Sequence, residues 1–272
     1  MFTYIDPGIR ERLIQQGKLR RINADGETID VAPPDSPAEP ALEVLGPIEM
    51  PIGITGETLV VQWYAFVRRT ELARVDELAA ELRRQGGQHL FASLTSSMAV
   101  NSVLVIGDAE ASATPLVRVH SNCLTGDVFG SQRCECGPQL AAAVDRIAQE
   151  GGGYLVYMAG HEGRGIGLWA KAATYLLQDA GENTYEANRS LGLPDDSRDF
   201  SDAASILKWV LHGRGVRLLT NNPKKIADLK AMGLSDVTPV KHLVGVGESN
   251  RRYLEAKRRW GHRIDDEDLI GL

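Results

Sequence analysis

The spacing of apolar residues changes along this chain of 272 residues, and each change predicts a different kind of structure. Residues 1–32 hold one short amphipathic stretch and then the turn signal NADGE. Residues 32–41, APPDSPAEPA, place four prolines in ten positions and predict an irregular or extended linker. From about residue 45 the pattern becomes one of strands. TLVVQWYAF (58–66), HLFASL (89–94), SVLVIG (102–107) and PLVRVHS (115–121) are β-branched and aromatic runs between turn residues. Between the first two, Leu72, Val75, Leu78, Ala79 and Leu82 recur at helical spacing, and a glycine pair stops the helix.

Further along, helix and strand patterns alternate. Leu140, Val144, Ile147 and Ala148 mark one helix face ended by GGG, and YLVYM (154–158) reads as a buried strand followed by the loop AGHEGRGIG. LWAKAATYLLQDAG and SDAASILKWVLHG predict helices, the second with Ser201 as its expected N-cap. VRLLT (216–220) predicts a strand, NPKKIADLKAMG a helix with Pro223 in its first turn, and RRYLEAKRRWG a last helix. The expected class is α+β, with mixed sheets and flanking helices. The expected division is an arm and Pro-rich linker over 1–44, a body over 45–264 with an inserted helix near 70–86, and a tail over 265–272. The arm is expected to pack on the body or on a partner subunit.

Composition narrows the function. The chain is 43% hydrophobic and can bury a proper core, and 30 basic residues against 36 acidic give a net charge of −6. That balance argues against coating nucleic acid, which needs a basic face, but leaves room for a small anion held by local cations. No apolar run of about 18 or more residues predicts a membrane span. The N-terminal stretch lacks a signal-peptide pattern, and the scarcity of cysteine predicts a reducing, cytoplasmic setting.

All three cysteines lie in CLTGDVFGSQRCECG, at Cys123, Cys134 and Cys136. Thiolates at this spacing suit Zn2+, with a histidine such as His120 as fourth ligand or with the fourth position left to water, as hydrolytic zinc requires. The plainer alternative is three buried thiols packed as small hydrophobes. The glycines of HEGRGIG, between a strand and a helix, allow close approach of an anion, although a solvated βα turn reads equally well. Thr220 and the lysines of TNNPKK can hold phosphate or simply cap a helix. The acids of LPDDSRDF (193–200) suit a helix start, Tyr175 sits at a core-like helical position, and KRRWGHR reads as a solvated basic face.

Taken in order, RVHSNCLTGDVFGSQRCECGPQL, HEGRGIGL, YLLQDAGENTYEANRSLGL, DDSRDF and LLTNNPKK resemble the GTP cyclohydrolase II family, over about residues 115–262. The resemblance implies that family's fold and a zinc-dependent hydrolytic opening of the GTP imidazole ring at C8. Formate and pyrophosphate would leave, giving 2,5-diamino-6-(5-phosphoribosylamino)pyrimidin-4(3H)-one. By position it implies Cys123, Cys134 and Cys136 as zinc ligands. Arg118, Val119, His120, Ser121, Asn122, Gln139, Glu162, Gly163, Arg164 and Thr184 fall on nucleotide-contacting positions, and Thr220 and Lys225 on a phosphate-side pair. Tyr175 falls on the family's active-site tyrosine, Asp196 on its proton acceptor, and Arg198 on its proposed nucleophile toward the α-phosphate. Because a guanidinium stays protonated, Arg198 is better read as an essential charge than as a bond-forming group. Mg2+ is expected with the triphosphate, and a homodimer is implied.

Three features depart from the family pattern. Asn122 stands where glutamate is expected, the segment 68–98 is longer than the usual strand connection, and the first forty residues have no counterpart. They are too few for the dihydroxybutanone-phosphate synthase domain sometimes fused to this family. The departures keep two alternatives open: a paralogue acting on another nucleotide or stopping at the formamide, and a non-catalytic nucleotide-binding module.

Overall fold

Among the described residues of the computed structural model, which are 6–31, 40–53, 56–84, 86 and 98–269, nine strands are joined in one mixed sheet. They are β1 (Leu19–Ile22), β2 (Thr28–Ile29), β3 (Leu42–Gly53), β4 (Thr58–Arg68), β5 (Asn101–Gly107), β6 (Leu116–Ser121), β7 (Gly152–Met158), β8 (Val216–Leu219) and β9 (Val237–Val240). Their spatial order is β2-β1-β3-β4-β5-β7-β6-β8-β9. Pairing is antiparallel from β2 through to β7 and parallel across β7, β6, β8 and β9. The parallel part needs crossover helices. These are α4 (Cys136–Gln149), α5 (Gly167–Asp179), α6 (Thr184–Ser190), α7 (Ser201–Leu211) and α8 (Pro223–Ala231). Among the described residues the other α-helices are α1 (Pro7–Gln15), α2 (Arg69–Arg84), the single turn α3 (Leu124–Asp127) and α9 (Arg251–Arg259).

Helices cover both faces of the parallel strands, so β6 and β7 are buried almost throughout; β7 is apolar, whereas β6 also buries Arg118 and His120. Successive residues of β7 divide between two cores. Tyr154, Val156 and Met158 pack with Ile206, Leu207 and Leu211 of α7, whereas Leu155 packs with Ala143, Val144 and Ile147 of α4. One consequence decides where chemistry can occur. The loops after β6, β7 and β8 all leave the carboxyl edge of the sheet, so Cys123, residues 159–165 and Thr220 emerge side by side.

The predicted α+β architecture holds, in a single sheet, and the elements expected at 58–66, 102–107, 115–121 and 154–158 are strands. The strand expected at 89–94 and most of the Pro-rich stretch lie outside the described residues. Ser201 is not the cap of α7: Phe200 holds that position with its ring in the core, and the Asp199 carboxylate accepts from the Ser201 N–H at 2.9 Å. Four strands of the sheet are not among those the apolar pattern predicts, the first of them β3, which pairs with β4. β1 and β2 extend the sheet from within the expected arm, and β9 closes the other edge. β1 is LRRI, whose Arg21 is buried only because Glu43 of β3 accepts its hydrogen bond at 2.8 Å. Helix α2 begins where Arg68 binds Asp202 at 2.8 Å and Asp199 at 2.5 Å, beside the DDSRDF loop.

Phe200 joins core to site. It is fully buried, its ring meets His161 edge-on at 4.9 Å, and the Arg198 and Lys225 cations lie 5.6 and 5.3 Å from its centroid. Phe200→Ala is expected to lower unfolding free energy by about 3–5 kcal/mol, read from urea denaturation. A loss below about 1 kcal/mol would show that the surrounding groups do not depend on the ring.

Candidate active site

The sulfur cluster is assembled by two close backbone approaches. Cys123 follows β6, Cys136 opens α4, and Cys134 lies two residues before it. A Cβ on Gly126 would stand 2.9 Å from Cys134 Sγ and 3.2 Å from Cys123 Sγ, so any side chain there would fill the cradle. One on Gly137 would stand 2.4 Å from the Gly126 carbonyl oxygen. The two glycines therefore let α3 and α4 close on each other. The three sulfurs lie within 4.8 Å of one another, Cys123 and Cys134 at 3.6 Å. Sulfurs bound tetrahedrally at about 2.3 Å from zinc sit roughly 3.8 Å apart, so this spacing fits a metal.

Charge reinforces that fit. Cys123 is the most acidic of the three thiols, because Cys134 and Cys136 donate hydrogen bonds to it and the Lys171 ammonium lies close. Donating to Cys123 pushes Cys134 up to about 11 and Cys136 well above its ordinary value, with burial adding to both. A dication removes the repulsion that keeps the second and third sulfurs protonated.

Around the sulfurs, Asp127 accepts from the Cys123 N–H at 3.0 Å, lies 3.1 Å from His120 Nε2, and accepts from the Tyr157 hydroxyl at 2.9 Å. Asn122 carries no charge here. Its Oδ1 lies 2.8 Å from the Tyr157 hydroxyl, and its amide donates to the Ala159 carbonyl at 3.1 Å. Tyr175 lies 3.1 Å from Thr125 Oγ1, and burial raises its pKa, so the phenol keeps its proton at neutral pH.

Facing the sulfurs is a concentration of buried cations. Arg118 donates to the Leu219 carbonyl at 2.8 Å and to Gln139 Oε1 at 2.9 Å, and burial lowers it to about 10. Lys225 donates to the Val119 carbonyl at 2.7 Å, and burial beside Arg118, Arg198 and Lys257 holds it well below the usual lysine range. Arg198 is gripped by Asp196 through bonds of 2.6 and 2.9 Å. Burial works to raise Asp196, but those bonds outweigh it and leave the carboxylate below its usual range. In the turn after β7, Gly163 and Arg164 both adopt left-handed φ, +59° and +64°, a strained choice for arginine. That turn lays Arg164 over the Tyr185 ring at 3.9 Å, with both terminal guanidinium nitrogens buried and unbonded. Arg118, bonded only to neutral groups, and Arg164, with its terminal nitrogens unbonded, call for an anion in the cleft.

The model of the GTP cyclohydrolase II family matches residues 79–241, the stretch that supplies most of this cleft. The chain belongs to the GTP cyclohydrolase II family. It is 48% identical over 211 residues to the riboflavin biosynthesis protein RibBA of Salinispora arenicola, covering 76% of this chain and 50% of that one. To the RibBA protein of Mycobacteroides abscessus it is 46% identical over 207 residues, covering 74% and 48%. To that of Mycolicibacterium gilvum it is 55% identical over 158 residues, covering 58% and 36%. The chain thus spans half or less of the length of these relatives.

Of the positions carried over from the GTP cyclohydrolase II family, most line one cleft: Arg118, His120, Ser121, Asn122, the three cysteines, Gln139, Glu162, Gly163, Arg164, Tyr175, Thr184, Arg198, Thr220 and Lys225. Val119 does not, since its side chain is in the core and its carbonyl serves Lys225. Asp196 lies behind Arg198. Sequence reasoning misses Lys171, His161, Glu135, Tyr253, Lys257 and His262, all cleft residues. Within KRRWGHR, Arg258 and Arg259 reach solvent as expected, but Lys257 pairs with the buried Glu135. Nothing local distinguishes Lys257 from its basic neighbours.

Burial holds His161 and His242 down to about 4 and His262 to about 3, so all three are neutral in the folded protein near neutrality. As pH falls below 6.5, the ordinary histidine value, the unfolded chain takes up protons that the folded protein refuses. Stability should therefore fall between pH 6.5 and about 4, as a declining urea midpoint of the metal-stripped protein. A midpoint flat across that window would contradict the buried neutral histidines.

Proposed function

We propose that this chain opens the imidazole ring of GTP hydrolytically at C8 and releases formate and pyrophosphate, leaving 2,5-diamino-6-(5-phosphoribosylamino)pyrimidin-4(3H)-one. The observation that carries this reading is one cleft holding a three-sulfur cluster opposite buried, incompletely bonded cations. Cys123, Cys134 and Cys136 would hold Zn2+, which supplies a Lewis acid and a water that ionises near neutrality. Arg118, Arg164, Arg198 and Lys225 bind the polyphosphate, with Mg2+ as its expected companion, and their charge stabilises the departing pyrophosphate. Asp196 fixes the guanidinium plane of Arg198, which acts as a charge. Tyr175 donates a proton to the ring nitrogen released on opening.

A second reading, favoured by the uncharged Asn122 locked to Tyr157 and Ala159, is hydrolysis that stops at the formamide or acts on another nucleotide. Incubating the zinc-loaded protein with GTP and following products by mass spectrometry decides between them. Formate and pyrophosphate together support the first reading, and a formylated product or turnover of another nucleotide supports the second. Binding without turnover would leave a nucleotide-binding module.

We also propose that the chain is a cytoplasmic homodimer; among the described residues no helix is long and apolar enough to cross a membrane. Trp169 and Leu176, seven residues apart on one face of α5, are 91% and 72% exposed, which suits cover by a second copy. The variant W169S/L176S is expected to sediment as a monomer where the parent sediments as a dimer. A monomeric parent would overturn the assignment.

A further inference from the structure

Lys171 is an unusual side chain to bury. It lies on α5, 7% exposed, and its ammonium donates to Cys123 Sγ at 3.1 Å and to Glu162 Oε1 at 2.6 Å. Glu162 in turn accepts from the Leu124 N–H through Oε2 at 2.7 Å, and from the Gly163 N–H at 3.1 Å. Gly163 makes room for this arrangement, because a Cβ there would stand 3.2 Å from Lys171 Cβ and 3.0 Å from Ile166 Cγ1. The Glu162 carboxylate is thus engaged by protein donors from three directions, one of them the residue after Cys123.

We propose that Lys171 and Glu162 form an outer bracket for the metal, Lys171 as a positioning residue that binds the Cys123 sulfur and Glu162 as the group that holds Lys171 there. The inference rests on the zinc reading above. Three thiolates around a dication leave a surplus negative charge in a buried place, and one ammonium offsets it. A charge-assisted N–H···S bond also draws electron density from the sulfur, so the metal remains a stronger Lewis acid. The same bond holds the Cys123 side chain toward the other two sulfurs. Toward the metal, Glu162 acts through Lys171 and the Leu124 amide.

The test uses the zinc-loaded full chain and its Co2+-substituted form. Lys171→Met is expected to release zinc to a chelator about 10–100-fold faster than the parent, as loss of an outer-shell partner does elsewhere. Its sulfur-to-cobalt absorption band should move to longer wavelength, because the sulfur loses its hydrogen bond. Glu162→Gln should shift both readouts in the same direction by less. Because Lys171→Met leaves the Glu162 charge unpaired, the double variant E162Q/K171M serves as the folded comparison, with the same expectation. If that variant keeps zinc as firmly as the parent and its cobalt band does not move, the bracket is overturned while the zinc site stands. If the parent itself takes up no zinc, the metal reading fails and the bracket falls with it.

Discussion

Cys134→Ser is expected to lose bound zinc and ring opening together, with turnover of GTP down by at least about three orders of magnitude, or about 4 kcal/mol of barrier. The reason is geometric as well as chemical. Cys134 Sγ lies 3.6 Å from Cys123 Sγ and fills the hollow left by Gly126. A serine oxygen is harder, reaches less far and ionises far less readily than a thiol, so the metal would keep only two of its protein ligands. Losing the metal also restores the repulsion between the remaining sulfurs, which favours their protonation. The measurements are zinc per chain and formate release with GTP. A variant that carries no metal yet remains fully active would end the zinc mechanism.

Tyr175→Phe is expected to lower kcat by roughly 10²–10⁴, the range for loss of a positioned proton donor, while KM changes little. The ring keeps its packing, including the Arg133 guanidinium 4.4 Å from its centroid, so folding should be barely affected. What disappears is the hydroxyl 3.1 Å from Thr125 Oγ1, at the edge of the sulfur cluster. Its raised pKa means that it holds a proton to give across the neutral range. Formate release at the parent's rate would remove Tyr175 from the proton-transfer step.

Much of this site is legible in the amino-acid sequence, for local reasons. Metal ligands, turn glycines and helix-opening prolines work within a few residues of one another, so the cysteine segment, HEGRGIG and TNNPKK announce themselves. The departures are legible too, as a helix in the long connection after β4 and as Asn122 before the first cysteine. Their consequences are not. Asn122 removes a charge, but only the fold shows that Tyr157 and Ala159 occupy its amide.

The sequence by itself determined the alternating elements and the clustering of the three cysteines, because each depends on periodicity or spacing along the chain, and its ordered motifs carried the resemblance to the family. Tertiary structure alone decided that Arg21 could be buried as a strand residue, since Glu43 of another strand supplies the opposite charge. It also decided that Lys171, on a helix whose pattern leaves that position polar, turns inward to a sulfur 48 positions away in the chain. Likewise Lys257, one base among several, reaches Glu135 across 122 positions. Burying a charge depends on a partner brought from elsewhere by the fold, and no pattern local to either residue records that meeting.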